Sequence, residues 1–430
     1  MPAPDYAAFR RSLARYSVDP SYRAALDGGG ERLLREAVRA AVYGERAEDN
    51  PLWEEYLRRL RRQEDYVRAA AAESRFNSRE LCFFGELVRN RCRMESAEIE
   101  RHSSIRYFPL AFELTEGCRV QCSFCGFGAP PYRGSFAWNA ENARLWEEIL
   151  AAAKDFIGPA AGACPLYFAT EPLDHPDYEK FLRKAEEIFG ELPQTTTAAA
   201  EREPERFRAL LRQAGRQRLR ENAAVRVSVR SRAQFERLME AFTAEELEDV
   251  EILANNPESV SRISDSGRAK ACRGIAEEKR LRYSICCIAG FLVSLPRKEI
   301  RFVEPELPDG EFPLGYRVRA VRSFASAEEF RRALEELTAQ WARYPLPEEL
   351  PLAWNRNIAV EPDGEGRLCF RGGGRISRVE DGIGVRTLVG YAAGRSFAET
   401  AEGLGLTGEA RAAAYRLLQN LYLRGYLRLR

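Results

Sequence analysis

Gly117-Cys118-Arg119-Val120-Gln121-Cys122-Ser123-Phe124-Cys125-Gly126 sets three thiols at a C-x3-C-x2-C spacing. The segment before it, 107–115, reads as a strand. Its face of Phe108, Leu110, Phe112 and Leu114 lies opposite Glu113 and Thr115, so Glu113 is a candidate to point into a cavity. Gly117 and Gly126 allow the loop to turn tightly. Three thiolates on one such loop can converge on one metal centre, and they suit an iron–sulfur cluster or zinc. A structural zinc needs a fourth ligand, and no second C-x2-C or nearby His pair supplies one. Three ligands would leave one iron of a [4Fe–4S] cluster open to a substrate or cofactor.

Working outward from this loop, candidate strands 164–170, 193–197, 224–230, 248–253 and the apolar stretch 283–295 alternate with helical segments 141–154, 176–189 and 233–241. Strands separated by helices imply parallel β/α units with crossovers. The expected fold class is α/β, a partial (β/α)6 barrel over residues 101–344, with its site at the C-terminal ends of the strands. Residues 1–100 read as an N-terminal helical domain: Gly28-Gly29-Gly30 separates two helices, and Asn50-Pro51 starts another with Trp53, Leu57 and Leu60 on one face. Ser326-Ala327-Glu328-Glu329 is a capping box. The Pro-rich stretch 345–351 reads as a linker, and 345–430 as a linker plus a C-terminal winged-helix-like module with a second box at Ser396 and Glu399.

Composition narrows the function. The 66 Lys and Arg against 65 Asp and Glu leave a net charge of +1, which gives no electrostatic reason to expect a nucleic-acid footprint. No apolar run is long enough for a transmembrane helix, and residues 1–25 lack the apolar core of a secretory signal, so a cytoplasmic protein with no membrane partner is expected. Only 2 histidines occur, His102 and His175, which disfavours His-rich zinc sites and His-based triads. The 10 cysteines are more in keeping with ligands, reactive thiols or core residues than with disulfides.

The triad, with Phe124 before its last cysteine and a strand before its first, resembles the radical S-adenosylmethionine (SAM) signature. The resemblance implies that Cys118, Cys122 and Cys125 hold a [4Fe–4S] cluster whose open iron binds SAM, with Phe124 against the cofactor. Cleavage of SAM would give a 5′-deoxyadenosyl radical that abstracts a substrate hydrogen, with an electron donor of flavodoxin or ferredoxin type as partner. Ala169-Thr170-Glu171-Pro172 resembles the family's Gly-Gly-Glu-Pro motif, departing at both glycines, and makes Thr170 and Glu171 candidate SAM contacts. The same segment also reads as a strand-end turn capped by Glu171. In 224–230, Val225, Val227 and Val229 alternate with Arg226, Ser228 and Arg230. A polar inner face suits a charged cofactor, which makes Ser228 and Arg230 candidate SAM contacts.

Further stretches resemble the radical SAM amino-acid epimerases that mature ribosomally made peptides. They are the Asp5–Leu26 helices, Phe168 to Glu179, Ser266-Gly267-Arg268-Ala269-Lys270, Cys287 to Val293 and Pro313 to Val318. The resemblance implies inversion of an L residue to D in a precursor peptide, with Cys287 returning hydrogen to the opposite face. Cys286 and Cys287 are read as mid-strand neighbours, one inward and one outward, and either can equally be a small core residue. No cysteine-rich extension follows the linker, where Cys369 stands alone. The alternatives are epimerisation of a sugar or other small-molecule natural product, and a non-catalytic metal-binding regulator. The C-terminal module reads as a grip on a precursor's leader, a cap on the barrel or, least favoured, a DNA reader.

Overall fold

In a computed structural model of the chain, residues 5–73 and 108–430 are described, apart from 223, 273–274, 282–283, 357, 364, 373–374 and 381–382. Cys82, Cys92, His102 and residues 74–100 of the expected helical domain lie outside the described residues.

The chain opens on four helices, α1 (Tyr6–Val18), α2 (Pro20–Gly29), α3 (Arg32–Tyr43) and α4 (Pro51–Glu73). At the starts of α1, α2 and α4, side chains take up amide protons where no intrahelical acceptor exists, whereas Glu31 before α3 makes no such bond. Asp5 Oδ1 accepts from Ala8 N at 3.0 Å, Asp19 Oδ1 from Ser21 N at 2.9 Å, and Asn50 Oδ1 from Leu52 N and Trp53 N at 3.1 and 3.2 Å. Phe9, Tyr16, Leu26, Val38 and Leu52 bury into one core. The group is fastened to the rest of the chain by Asn256 Nδ2 on Val18 O (2.9 Å), Arg10 on Glu248 O and Val250 O, and Arg59 on Glu248 and Asp249.

A mixed α/β body follows. β1 (Phe108–Glu113) leads into the ribbon of β2 (Thr115–Glu116) and β3 (Gly134–Ser135), then α5 (Ala140–Ile157) and α6 (Tyr178–Phe189). β4 (Thr195–Thr197), α7 (Pro204–Asn222), β5 (Val225–Val229), α8 (Arg232–Ala241), α9 (Ala244–Leu247) and β6 (Glu251–Ala254) make two β/α repeats, and β4, β5 and β6 form a parallel sheet in that order. The small pair β7 (Ile263–Ser264) and β8 (Arg280–Leu281) precedes β9 (Ile288–Ser294), β10 (Glu299–Pro305), β11 (Tyr316–Ser323) and α10 (Ala327–Trp341). β9 pairs parallel with β1, and β10 and β11 extend that sheet antiparallel, an addition the β/α pattern did not foretell. Among the described residues the two larger sheets are not hydrogen-bonded to each other, and no closed barrel forms.

The stretch 164–170 is not a strand. Pro165 O accepts from Phe112 N (2.9 Å) and Phe168 N donates to Phe112 O (3.3 Å), after which Thr170 N turns back onto Tyr167 O. Pro165 has no N–H for a ladder, and Ala169 takes a positive φ of 53°, so the segment bonds β1 at one residue and then bends. At Ser326 the box is offset: Ser326 Oγ accepts from Glu329 N, but Glu329 reaches back to Ala325 N (2.7 Å). The box of Ser396 and Glu399 is complete.

After the linker come β12 (Leu352–Trp354), the meander β13 (Ala359–Pro362), β14 (Arg367–Gly372) and β15 (Arg375–Glu380), and then α11 (Ile383–Ala392), α12 (Phe397–Gly403), α13 (Gly408–Leu423) and β16 (Leu427–Leu429). The helices run in the expected short–short–long order, but the meander precedes them, and β16 closes on β12. Leu352, Phe370, Phe397, Leu418 and Tyr426 share a core of their own. Arg319 Nη2 donates to Leu429 O (2.8 Å), and Glu306, fully buried, takes Arg428, which ties β16 to β10 and β11. Among the described residues, no helix is long and apolar enough to cross a membrane.

Trp146 on α5 is the keystone beneath β1: fully buried, edge-on to Phe112 at 4.8 Å, with its Nε1 donating to Phe181 O at 3.2 Å. Trp146→Ala should lower the unfolding free energy by about 3–5 kcal/mol, read by equilibrium urea denaturation, because large-to-small core changes leave a cavity. Trp146→Phe keeps the edge-to-face contact and should cost less.

Candidate functional site

A cavity of about 810 Å³ opens where the loop after β1 meets the ends of β5 and the segment before β9. Cys118, Cys122, Phe124, Cys125, Thr170, Glu171, Ser228 and Cys287 all line it. Its far wall belongs to the N-terminal helices, with Arg10, Ser17, Tyr56 and Gln63.

The cysteine loop is shaped by hydrogen bonds to its own backbone. Gly117, at φ 78°, leaves room where a Cβ would stand 2.2 Å from Pro131 O. Gln121, at φ 47°, turns its Nε2 inward to donate to Cys118 O (2.7 Å), Ala129 O (3.1 Å) and Pro130 O (2.9 Å). Arg119 N donates to Asp174 Oδ2 at 2.6 Å, tying the loop to the turn after Glu171. From the other side, the Ser266–Lys270 segment buckles the loop. Ser266 Oγ donates to Gly126 O (2.9 Å), Arg268 N to Cys125 O (2.9 Å), and Arg268 Nε to Cys122 O (3.0 Å). Cys272 Sγ donates to Ser123 O at 3.3 Å. These contacts were not foreseen, although the Gly267-Arg268 pair was legible as a turn with a long donor attached.

Burial pushes the Cys122 thiol up to about 12, with Arg230 pulling the other way and Cys118, Cys125 and Glu171 near enough to add to the rise. Cys118 is raised as well, chiefly by burial. Such thiols stay protonated at neutral pH unless a metal cation displaces the proton. Among the described residues, no group of three or more His, Cys, Asp or Glu side chains converges to hold a single ion.

Glu171 lines the cavity and also caps the turn behind it. Its Oε1 accepts from Leu173 N (3.1 Å) and from Thr197 Oγ1, and its Oε2 from Ala198 N (2.7 Å). Burial pushes its carboxyl up to about 7 against these three donors. A carboxylate has about four acceptor positions, so one on Oε2 is left for a cavity occupant. On β5, Val225, Val227 and Val229 are buried in the core while Arg226 and Ser228 face the cavity. Arg226 donates to Thr196 Oγ1 (2.9 Å) and Tyr167 OH (3.2 Å), a polar cluster that the alternation of β5 already pointed to. Arg230 does not line the cavity. It lies just past β5, where its backbone N and Nε both donate to Gln234 Oε1, at 2.7 and 3.2 Å.

Glu113 does not enter the cavity either. It is held by Arg301 at 2.9 Å, and its own burial pushes its carboxyl up against the pull of that guanidinium. Thr115 Oγ1 instead bonds Gly117 O within the loop. His175 is structural: Nε2 meets Phe136 O at 2.8 Å and Nδ1 accepts from Asp177 N at 3.0 Å. The two adjacent cysteines are separated by environment, but neither is mid-strand, since β9 begins at Ile288. Ser284 Oγ accepts from Cys286 N (3.0 Å) and Phe108 N donates to Cys287 O (3.0 Å), which holds the pair in the lead-in to β9. Cys286 is fully buried among Phe108, Ile288 and Leu292, whereas Cys287 is part-exposed on the cavity wall.

Gly267, at φ 52°, would put a Cβ 2.5 Å from Gly126 O and 2.6 Å from Cys125 O. Gly267→Ala should therefore cost more than the ~1–2 kcal/mol of left-handed strain alone. Urea denaturation should show that loss, and peptide mapping after alkylation of the metal-free protein should show faster modification of Cys122 and Cys125.

The chain is similar to an uncharacterized protein, y4wI, of Sinorhizobium fredii, with 34% identity over 327 residues. That match covers 74% of this chain and 62% of the relative, so the chain spans less than two thirds of the relative's length. No protein-family model matches the chain. No solved structure matches it.

Proposed function

We propose that the chain is a radical SAM epimerase built on a partial β/α barrel. The observation that carries the reading is the meeting of the three triad cysteines with Thr170, Glu171, Ser228 and Cys287 around one cavity. The residues fit a [4Fe–4S] cluster on three counts. The donors are soft thiols that suit iron–sulfur centres. Glycines at 117 and 267 let backbone pack where a Cβ would collide. A buried donor of Arg268 beside the loop has no partner within the protein.

When bound, such a cluster supplies the electron that splits SAM into methionine and a 5′-deoxyadenosyl radical, which removes a hydrogen atom from the substrate. The chain's own residues do the rest. Cys118, Cys122 and Cys125 would hold the cluster, and Phe124, Ser228 and the remaining acceptor of Glu171, which line the same cavity, would be the contacts for SAM. Arg230 acts at a distance, by its charge near Cys122. Cys287 stands ready to give its S–H hydrogen to the carbon radical from the opposite face. As that C–H bond forms, the S–H bond breaks, and the sulfur radical left behind takes one electron from an outside donor of flavodoxin or ferredoxin type and one proton from solvent. A reducing compartment, the cytoplasm, suits this chemistry.

The substrate we favour is a residue of a precursor peptide, inverted from L to D, with the separately cored C-terminal module gripping the leader. A second reading, a sugar or other small-molecule natural product, is favoured by the cavity itself, whose volume is that of a small-molecule pocket.

Purified and reconstituted without oxygen, the protein should hold about four irons, and Cys118, Cys122 and Cys125 replaced together by Ala should hold none and form no 5′-deoxyadenosine. A chain that takes up zinc but no iron would be a metal-binding regulator instead. With substrate in D2O, one solvent deuterium should appear at the inverted carbon. Cys287→Ala should still cleave SAM yet give no inverted product, while remaining folded, since a Cys-to-Ala change costs about 1 kcal/mol. Full inversion by Cys287→Ala removes it as the donor.

A further inference from the structure

A polar cluster lines the cavity well back from the cysteines. Arg226 on β5 lays one edge of its guanidinium over two hydroxyls, Nε donating to Thr196 Oγ1 at 2.9 Å and Nη2 to Tyr167 OH at 3.2 Å, and all three residues face the cavity. The two hydroxyl oxygens stand 2.8 Å apart. Each accepts from the arginine, and only one hydroxyl hydrogen can lie between them. Among the described residues nothing takes the other hydrogen, which is left for an occupant of the cavity. A spare O–H beside a guanidinium calls for an acceptor, and binds a charged one most tightly. The rest of the wall leans the same way. Its lining carries four arginines, Arg10, Arg11, Arg226 and Arg262, against two glutamates, Glu171 and Glu251. Arg10 and Arg11 donate to the main-chain carbonyls of Glu248, Val250 and Met239, which leave their charge in place. Glu251 is the register neighbour of Arg226 on β6, yet the bonded edge of the guanidinium turns the other way, toward β4 and Tyr167. Strand β5 runs toward the cysteines, since Arg230 just past its end is close enough to act on Cys122. Arg226 lies four residues earlier, about 13 Å back along an extended strand. Ser228, the contact proposed for SAM, stands between them on the same face.

We propose that Arg226, Tyr167 and Thr196 form a carboxylate-binding subsite at the end of the cavity away from the cysteines, and that the substrate carries the carboxylate it holds. A carboxylate offers an acceptor to the spare hydroxyl hydrogen and a negative charge to a wall richer in arginine. A neutral amide of the same shape offers the acceptor without the charge. Anchoring the acid group at a fixed depth decides which carbon of the substrate lies within reach of Cys287, so the cluster determines specificity. Two sources carry such a group, an acidic side chain of a precursor peptide and a sugar acid. The inference rests on the reading of this cavity as the substrate site proposed above, and it narrows the substrate to an acid.

The test uses the full chain, reconstituted anoxically with SAM and no reductant, with iron content measured first. Isothermal titration calorimetry compares N-acetylglutamate methylamide with its glutamine counterpart, and methyl glucuronide with methyl glucoside. In the wild type one acidic probe should bind at least about tenfold tighter than its neutral partner, and the pair that shows this names the source. Arg226→Gln should abolish that preference, and Arg226→Lys, which keeps the charge but not the fork, should retain part of it. A crystal structure of the wild type with the acidic probe should place its carboxylate within hydrogen-bond reach of Arg226 and of Tyr167 or Thr196. That measurement decides the matter even if Arg226→Gln fails to fold. No acid preference in the wild type, a preference that survives Arg226→Gln, or a carboxylate bound elsewhere overturns the inference and leaves the proposed function standing. If Arg226→Gln weakens SAM tenfold but not decarboxylated SAM, the carboxylate is SAM's own and the substrate assignment falls. A wild-type chain that binds no iron overturns the proposed function, while the acid preference of the metal-free chain still decides whether the subsite exists.

Discussion

β1 is bonded along both edges, and the site depends on that. Its fully buried residues pair with β9 through Leu110↔Phe291 and Phe112↔Val293, and Leu295 N closes onto Glu113 O. On the opposite edge Phe112 exchanges hydrogen bonds with Pro165 O and Phe168 N. A strand sunk this deeply must have its amides satisfied within the protein. Satisfying them brings three distant stretches to one place: the cysteine loop from the end of β1, the Thr170-Glu171 turn from one flank, and Cys287 from the lead-in to the other.

Much of this was written locally. The cysteine spacing, the Asn50 cap, the box of Ser396 and Glu399, and the division of β5 into buried valines and cavity-facing Arg226 and Ser228 all depend on neighbours within a few residues. What was not legible depends on partners far along the chain. Residues 164–170 are as apolar as a strand, yet Pro165 and the bend at Ala169 restrict them to two bonds with Phe112. Glu113 alternates toward the expected cavity face, but Arg301 on β10 claims it. Arg230 falls one residue beyond β5, where Gln234 captures it. Arg268 binds main-chain carbonyls, and carbonyl acceptors have no signature in a sequence.

The cavity is a joint product of units that the sequence separates. The N-terminal helices bring Arg10, Tyr56 and Gln63 to its far wall, and their fastening to Glu248, Asp249 and Asn256 fixes how far that wall stands from the cysteines. At the other end, Arg428 of the final strand is buried against Glu306, and Glu306 N bonds Gly315 O, the same carbonyl that Ser284 Oγ approaches on its way to holding Cys286. The C-terminal module and the lead-in to β9 thus lean on one short stretch of backbone.

The clamp on the cysteine loop also fixes an order of assembly. Local donors already meet some carbonyls of the loop, Gln121 Nε2 at Ala129 O and Gly128 N at Cys125 O, but the clamp from Ser266 and Arg268 is added by the ribosome well over a hundred residues later. A nascent chain that has just emitted its three thiols has the turn made by Gln121 but not the clamp that closes the loop from its other side. Iron and sulfide would then meet a loose and oxidisable segment. If the loop holds the cluster proposed for it, delivery of a preassembled cluster to the finished fold would avoid that exposure, and loading would follow the closing of the clamp.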